Sequence, residues 1–147
     1  MKLSTRGKYG LYAMIDLAQH AGEGPRALKS IAELGLPEQY LEQLLGSLRR
    51  AGLVKSVRGA QGGYQLSRPA EDITLRHIIE AMEGPLNLSE CVGERKAHCP
   101  RDAKCPAQGV WAHLTEEING LFDSITLQDM LKFQTGDGNE HESHLYG

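Results

Sequence analysis

No apolar run among the 147 residues approaches the roughly 20 residues that a membrane-spanning helix needs. The first ten residues, MKLSTRGKYG, also contain no apolar stretch of the kind that directs secretion. The length is that of one domain, or of a small domain with an accessory element. These features predict a cytoplasmic protein without membrane contact.

Catalytic motifs are absent as well. The sequence has no glycine-rich nucleotide loop, no metalloprotease helix motif and no convincing set of nucleophile, base and orienting residue. We therefore predict that the protein is not an enzyme. Only three cysteines are present, and an odd number without an export signal argues against a disulfide framework. Metal binding or redox chemistry in a reducing compartment is the expected use of these thiols.

The net charge of −3 conceals an uneven distribution. Residues 1–70 carry ten Lys and Arg against five Asp and Glu, whereas residues 71–147 carry six against fourteen. The first half is therefore basic by five charges and the second half acidic by eight. A basic half is the electrostatic feature expected of a surface that binds the phosphates of nucleic acid.

Apolar residues recur at helical spacing in three blocks of the basic half. The spacing predicts a helix over about 8–21, a short second helix that ends at Gly35 and a third helix from Pro37 to Ala51. A short helix, a tight turn and another helix form the helix-turn-helix order. The apolar positions are Leu11, Met14, Ile15 and Ala18; Leu28, Ile31 and Ala32; and Leu41, Leu44, Leu45 and Leu48.

Two short strands, LVKSV and GYQLS, follow the third helix and are joined by the connector RGAQGG. This pattern predicts a β-hairpin wing, so the basic half is expected to be a winged helix. Three glycines let the connector turn sharply, and Arg58 at its start can enter a minor groove or meet a phosphate. Arg49, near the end of the third helix, lies away from its apolar stripe. The alternative is that residues 38–50 form an ordinary solvated helix face.

A heptad seam of apolar residues occupies the acidic half, with steps of three and four residues. This seam predicts a long helix that pairs with a second copy of the chain, since one such helix is a poor monomer surface. A helix folded back on its own head is the alternative. Thr126 and Asp129 then form a capping box that starts a short final helix through about Lys132. The seam consists of Trp111, Leu114, Ile118, Leu121 and Ile125.

The three cysteines, Cys91, Cys99 and Cys105, fall within the segment CVGERKAHCPRDAKC. Three thiolates this close together can ligate one iron–sulfur cluster or one zinc ion, because cysteine sulfur is a preferred ligand of both. Their spacing does not match the Cys-x-x-Cys pairs of common structural zinc sites. Direct modification of a thiol, in a redox or nitric-oxide sensor, is the alternative use.

From about Met1 to Lys132 the sequence resembles the IscR-like winged-helix regulators of iron–sulfur cluster assembly. The resemblance is carried by MKLSTRGKYGLYAM, by YLEQLLGSLRRAGLVKSVRGAQGGY, by the three-cysteine segment and by VWAHLTEEINGLFDSITLQDML. It implies a dimeric transcription regulator that binds a pseudo-palindromic operator in double-stranded DNA, either as a repressor or as an activator. By similarity, the third helix enters the major groove, where Gln39, Tyr40, Glu42 and Gln43 contact bases or backbone. Tyr40 is equally suited to a core position.

The same resemblance implies a [2Fe–2S] cofactor on Cys91, Cys99 and Cys105, with zinc as the alternative. The family completes its ligand set either with a His three residues after the third cysteine or with a carboxylate near position 8. This sequence has Gln108 and Lys8 at those places, so the fourth ligand is open. The candidates are His98 and Gln108, then Glu94, Asp102, His113 or a small exogenous ligand.

The predicted organisation has four parts. Residues 1–70 form the winged helix-turn-helix head, and residues 71–105 form a connecting helix and the cysteine-containing loop. Residues 106–133 form the dimerisation helix and the short terminal helix. Residues 134–147 have too few apolar side chains to fold alone, so a disordered tail is expected there.

Overall fold

The computed structural model describes residues 3–89, 91–92 and 105–134. Within those residues the chain is mainly helical and contains one two-stranded antiparallel sheet. A single 3₁₀ turn, Ala70–Asp72, precedes the fourth helix. The elements in chain order are α1 (Thr5–Gln19), α2 (Leu28–Ala32), α3 (Glu38–Arg50), β1 (Val54–Val57), β2 (Gly63–Leu66), α4 (Leu75–Glu83), α5 (Gln108–Ser124) and α6 (Leu127–Gln134).

Helix starts differ by a few residues from those predicted from apolar spacing. α1 begins at Thr5 instead of about residue 8, because the Ser4 hydroxyl caps it by accepting a hydrogen bond of 3.3 Å from the Gly7 amide. Pro37 lies just outside α3 as its N-cap residue, in an extended conformation, instead of inside the first turn. The Ser4 cap is a local hydrogen bond that apolar periodicity does not report, whereas Pro37 makes no side-chain cap hydrogen bond. α1 and α2 also end earlier than predicted, at Gln19 and Ala32.

The core lies where α1, α3, α4 and α6 meet. The four leucines predicted for the third helix are completely buried, and Met14 of α1 and Ile78 of α4 meet them in the same cluster. Burial of each such side chain stabilises the fold by about 1.5–3 kcal/mol relative to exposure. The packing against α1 and α4 therefore fixes the position of α3. The leucines are Leu41, Leu44, Leu45 and Leu48.

The chain returns to this core after the long helix α5. The Leu75 amide donates to the Ile125 carbonyl at 2.8 Å, and the Leu127 amide donates to the Ile73 carbonyl at 2.7 Å. A short antiparallel bridge thus joins the start of α4 to the start of α6. Leu127 is fully buried in the core. The short terminal helix α6 therefore packs on the head. The predicted organisation placed it in one part with the dimerisation helix.

Thr126 and Asp129 cap α6 reciprocally. The Thr126 amide donates to Asp129 Oδ2 at 3.0 Å, and the Asp129 amide donates to Thr126 Oγ1 at 3.1 Å. The predicted capping box is confirmed. α6 ends at Gln134, and the predicted disordered tail otherwise lies outside the described residues. No helix in residues 3–89, 91–92 or 105–134 is both long and apolar enough to cross a membrane.

Candidate nucleic-acid interface and cysteine site

The outer face of α3 carries the residues predicted to read bases. Gln39, Glu42 and Gln43 are exposed, while the leucines between them are buried. The amphipathic pattern of α3 forces this division, because its apolar stripe must face the core. Tyr40 is half-buried and packs edge-on against the ring of Tyr9 in α1, with 5.8 Å between centroids. Tyr40 therefore lies at the rim of the core.

The wing stands beside the C-terminal end of α3. Strands β1 and β2 pair in register, with Val54 opposite Leu66 and Ser56 opposite Tyr64. Arg49 of α3 donates to the Ser56 hydroxyl at 3.3 Å, so this predicted DNA-contacting residue also links α3 to the wing. Arg58 is exposed at the start of the connector. The structure thus presents helix face and wing together, as a DNA reader requires.

Arg6, near the start of α1, was not singled out from the sequence. Its Nε donates to the Met82 carbonyl at 2.9 Å and its Nη2 donates to the Ser47 hydroxyl at 2.6 Å. The side chain therefore connects α1, α3 and α4. Arg6 lies in the first turn of α1, and the local sequence gives no signal for such a role.

Asp16 and Arg26 form a second polar contact that the sequence did not reveal. Asp16 is 4% exposed, and its carboxylate receives two hydrogen bonds from the Arg26 guanidinium, at 3.0 and 3.3 Å. The hydrogen bond to Asp16 raises the pKa of Arg26 above its ordinary value. A charged residue between the buried Met14 and Leu17 was the available signal, since a buried carboxylate requires a partner.

The cysteine site is only partly within the described residues. Cys91 and Cys105 are free, half-buried thiols, and Cys91 Sγ lies 3.1 Å from the Ser89 hydroxyl. Cys105 lies in the turn that leads into α5, where its carbonyl accepts from the Gln108 amide at 3.4 Å. Of the other candidate ligands, Gln108 opens α5 and His113 is exposed on it. Outside the described residues lie Cys99, His98, Glu94 and Asp102.

The donor chemistry of this segment fits a cluster or a zinc ion, because free thiols are present on both of its flanks. Among residues 3–89, 91–92 and 105–134, no three His, Cys, Asp or Glu side chains converge on a metal position. Two of the three predicted cysteine ligands lie in that part of the chain. A three-cysteine site therefore needs Cys99, and its assembly stays a prediction.

The N-terminal flank of the cysteine segment lies against α5. The Leu88 amide donates to the Thr115 hydroxyl at 3.3 Å, and the Asn119 side-chain amide donates to the Leu86 carbonyl at 3.3 Å. Within α5, Thr115 is the one buried residue. The segment that leads to Cys91 is thus attached to the long helix.

Arg76 links α4 to α5. It donates to Glu80 at 2.9 Å and to Asp123 at 2.8 Å, and these hydrogen bonds, that to Asp123 first, raise its pKa. These groups are each about a third or more exposed, so the pairs contribute modestly to stability. Their geometric effect is to hold the C-terminal end of α5 beside α4.

A neighbouring face of α5 is apolar and uncovered in the single chain. Trp111 and Leu114 are each 40% exposed and Leu121 is 46% exposed. Ile118 is half-buried between them. Ile125, predicted as the last seam residue, ends the helix and packs against the core of its own head. The exposed seam therefore runs from Trp111 to Leu121.

Comparison with known protein families identifies the family to which the chain belongs. The Rrf2 family, described as an iron-dependent transcriptional regulator, matches residues 3–132. The chain belongs to the Rrf2 family. This assignment confirms the predicted resemblance to IscR-like regulators and supports a role in transcription regulation and DNA binding.

Three Rrf2 relatives illustrate the similarity. CymR of Bacillus subtilis is 42% identical over 147 residues, covering 99% of both sequences. Its structure, described as that of the global cysteine regulator, gives a TM-score of 0.73 at 44% identity over 90% of this chain and 98% of that one. IscR from T. potens gives 0.73 at 50% identity over 91% and 88%. The oxidized form of Staphylococcus aureus CymR gives 0.70 at 42% identity over 90% and 97%.

These Rrf2 neighbours confirm the winged-helix fold. The relatives are named as transcriptional regulators, and none of these names denotes an enzyme. These relatives divide between IscR and CymR, and CymR is described as a global cysteine regulator. Family membership therefore supports a role in transcription regulation. The signal that the protein senses has to be inferred from the chemistry of the cysteines.

Proposed function

We propose that this Rrf2 protein is a cytoplasmic, homodimeric regulator that binds a pseudo-palindromic operator and responds to a [2Fe–2S] cluster on Cys91, Cys99 and Cys105. The observation that carries the DNA-binding part is the pairing of the exposed face of α3 with an adjacent wing. The observation that supports the sensing part is the free thiol on each flank of the cysteine segment.

Base reading would fall to the exposed side chains of α3. Gln39 and Gln43 carry amides that can pair with adenine edges, and Glu42 can accept from cytosine. Arg58 on the wing has the charge and reach for a narrow minor groove or a phosphate. Tyr40, which packs on Tyr9, would serve mainly to fix the start of α3.

Dimerisation would use the seam of α5. Burial of Trp111, Leu114 and Leu121 against a second copy removes apolar surface from water, and a two-fold axis satisfies both copies with the same contacts. Two recognition helices would then lie about 34–36 Å apart, one turn of DNA. An operator with two inverted half-sites follows from this symmetry.

A cluster on the three cysteines would reach the heads through the flanks of its own segment. The N-terminal flank is bonded to Thr115 and Asn119, and the C-terminal flank continues directly into α5. Because α5 also contacts α4 through Arg76, a change at the cysteines can alter how the two heads sit across the dimer. Coupling of about 1–3 kcal/mol would suffice for regulation.

The fourth ligand remains open in this proposal. His98, Gln108, Glu94, Asp102, His113 or an exogenous small ligand can supply the donor. A weak fourth donor would make the cluster labile, which suits a sensor.

A second candidate is a thiol-based redox or nitric-oxide sensor that carries no stable cluster. Its support is that Cys91 and Cys105 are free thiols and that a similar protein, S. aureus CymR, is described in an oxidized form. In that case one of the cysteines would be oxidised or capped directly. A zinc site on the same thiols is the remaining alternative.

The deciding experiment is anaerobic purification followed by visible absorption, electron paramagnetic resonance and assays of iron and acid-labile sulfide on one sample. We expect a brown protein with matched iron and sulfide that becomes paramagnetic on reduction. A colourless protein that takes up neither after anaerobic reconstitution would contradict the cluster and favour thiol sensing. Zinc in that colourless protein would identify the third alternative.

A further inference from the structure

The wing is flanked by α3 on one side and by the segment around Arg26 on the other, and β2 also packs against α1. An isolated two-stranded hairpin is marginally stable in water, so the position of the wing depends on what its strands touch. On one edge of β2, Tyr64 pairs with Ser56 of β1. On the other edge it pairs with Arg26: the Arg26 amide donates to the Tyr64 carbonyl at 2.8 Å, and the Tyr64 amide donates to the Arg26 carbonyl at 2.9 Å.

This second pairing is unusually close because residue 63 is glycine. A Cβ atom at Gly63 would lie 2.2 Å from the Arg26 carbonyl oxygen, a distance that real Cβ atoms do not show. The backbone around Arg26 therefore lies directly against the strand. Any displacement of Arg26 must move β2 or break both hydrogen bonds.

The side chain of Arg26 is fixed independently, by Asp16 of α1. Asp16 is nearly inaccessible to water, and both of its oxygens receive guanidinium hydrogen bonds from Arg26. A buried carboxylate that loses its partner costs about 3–5 kcal/mol, so this contact is strongly maintained. Arg26 thus has its side chain anchored in the core and its main chain bonded to the wing.

The contacts form a continuous line from one helix to another. It runs from Asp16 in α1 through Arg26, Tyr64 and Ser56 to Arg49 in α3. The wing is therefore held between two helices that share the buried core. Its connector, which carries the exposed Arg58, projects from this frame.

We propose that Asp16 and Arg26 are positioning residues for DNA binding, which set the wing relative to α3 and thereby aim Arg58 at the operator. This inference rests on the proposed function, because it assigns a task to the wing that only DNA recognition requires. If the ion pair served only the stability of the head, its effect on DNA affinity would not depend on whether the Arg58 side chain is present. That difference supplies the test.

The variants avoid leaving a buried charge alone. Asp16→Asn with Arg26→Gln removes both charges together, and Arg26→Lys keeps the charge but lacks the planar fork. Each is combined with Arg58→Ala. Arg76→Lys is the control for the hydrogen-exchange measurement, since Arg76 is also an arginine hydrogen-bonded to carboxylates but links α4 to α5. Circular dichroism and thermal unfolding establish which variants fold, and Arg26→Lys is the more conservative of the two.

Affinity is measured by fluorescence anisotropy on a duplex that the wild-type homodimer selects from a randomised library. With the native wing, we expect the Asp16/Arg26 variants to lose about tenfold in affinity, as for loss of a wing contact. With Arg58→Ala, the same changes should cost less than about twofold, because the side chain they aim is gone. Equal losses in both backgrounds would overturn the proposal, as would an Arg58→Ala variant that binds like the wild type.

Hydrogen exchange on the full chain gives a readout that needs no DNA. The amides of Arg26 and Tyr64 should exchange at least about tenfold faster in the variants, while buried α1 amides and the Arg76→Lys control stay unchanged. Unchanged exchange at Tyr64 would refute the positioning role. If no duplex is enriched by the wild type, the proposed function fails, and the exchange data still decide whether the pair holds the wing.

Discussion

Adjacent residues of α3 divide sharply between two tasks. Leu44 is completely buried, while Gln43 beside it is exposed on the face that the proposal places in the major groove. A change at the first acts on stability and a change at the second acts on recognition. This separation allows base reading to be tested without disturbing the fold.

Gln43→Ala should weaken binding to the selected operator by about 1–3 kcal/mol, the value of a bidentate base contact. Binding to an unrelated duplex should change little, because phosphate contacts are kept. Competition titrations with both duplexes measure the two effects. Gln128→Ala, at an exposed position of α6, is the control and should alter neither. Equal weakening on both duplexes would show that Gln43 does not read a base.

Glycine at the wing connector is also a residue-scale requirement. A Cβ at Gly62 would lie 2.2 Å from the Val57 carbonyl oxygen, so Gly62→Ala must displace backbone. We expect a loss of about 1–3 kcal/mol in the free energy of unfolding, as for other overpacked sites. Gly109→Ala in α5 meets no atom within 4 Å and should be neutral or up to about 1 kcal/mol stabilising. Urea denaturation compares them, and equal stability of the two variants would contradict the clash.

At the scale of elements, periodicity predicted the helices and the hairpin well. The leucine spacing of α3 and the two short strands joined by a glycine-rich connector are local signals, and each element forms where its signal occurs. The Asp16–Arg26 contact, the Arg6 contacts and the bridge between residues 74 and 126 have no such signal. They depend on which helices meet in three dimensions, and one sequence does not report that.

The long helix shows the same limit in a functional element. A heptad seam predicted five interface residues, yet Ile125 packs on the core because the chain turns there to begin α6. Apolar spacing cannot distinguish a side chain that meets a partner from one that meets its own head. Exposure in the folded chain separates Trp111, Leu114 and Leu121 from Ile125 as residues available to a second copy, and it adds Val110, which is 53% exposed on the same helix.

Leu114→Glu should convert the dimer to a monomer, because two-fold symmetry buries the new charge twice. His113→Glu, at an exposed position next to it, is the control and should stay dimeric. Sedimentation equilibrium measures the association of both variants. On a two-half-site operator the monomer should bind about 100-fold more weakly, since it loses the gain from linked sites. A Leu114→Glu protein that remains dimeric would place the interface elsewhere.

For the whole molecule, α4 occupies the junction between sensing and reading. It shares the core with α1 and α3, and Arg76 ties it to the helix that follows Cys105. The basic charge lies in the half that would face DNA, and the acidic charge lies in the half that carries the cysteines. Signal and output are thus separated in sequence but joined through one short helix.

Replacement of all three cysteines tests this connection across the molecule. Cys91→Ser, Cys99→Ser and Cys105→Ser together leave no thiol in the chain. For the wild type, we expect operator affinity with and without the reconstituted cluster to differ about 5- to 150-fold, the usual range of such coupling. The variant should give one affinity under both conditions, because the signal has no site at which to act.

The variant also separates regulation from reading. Its helix α3 and wing are unchanged, so it should still prefer the selected duplex over an unrelated one, as measured by competition titration. Persistence of the two wild-type affinities in the cysteine-free protein would place the sensor outside these thiols. Loss of all sequence preference would instead show that the cysteines support the fold of the head. The residues of the reading surface are unchanged in this variant, so that surface can fail only if the fold beneath it changes.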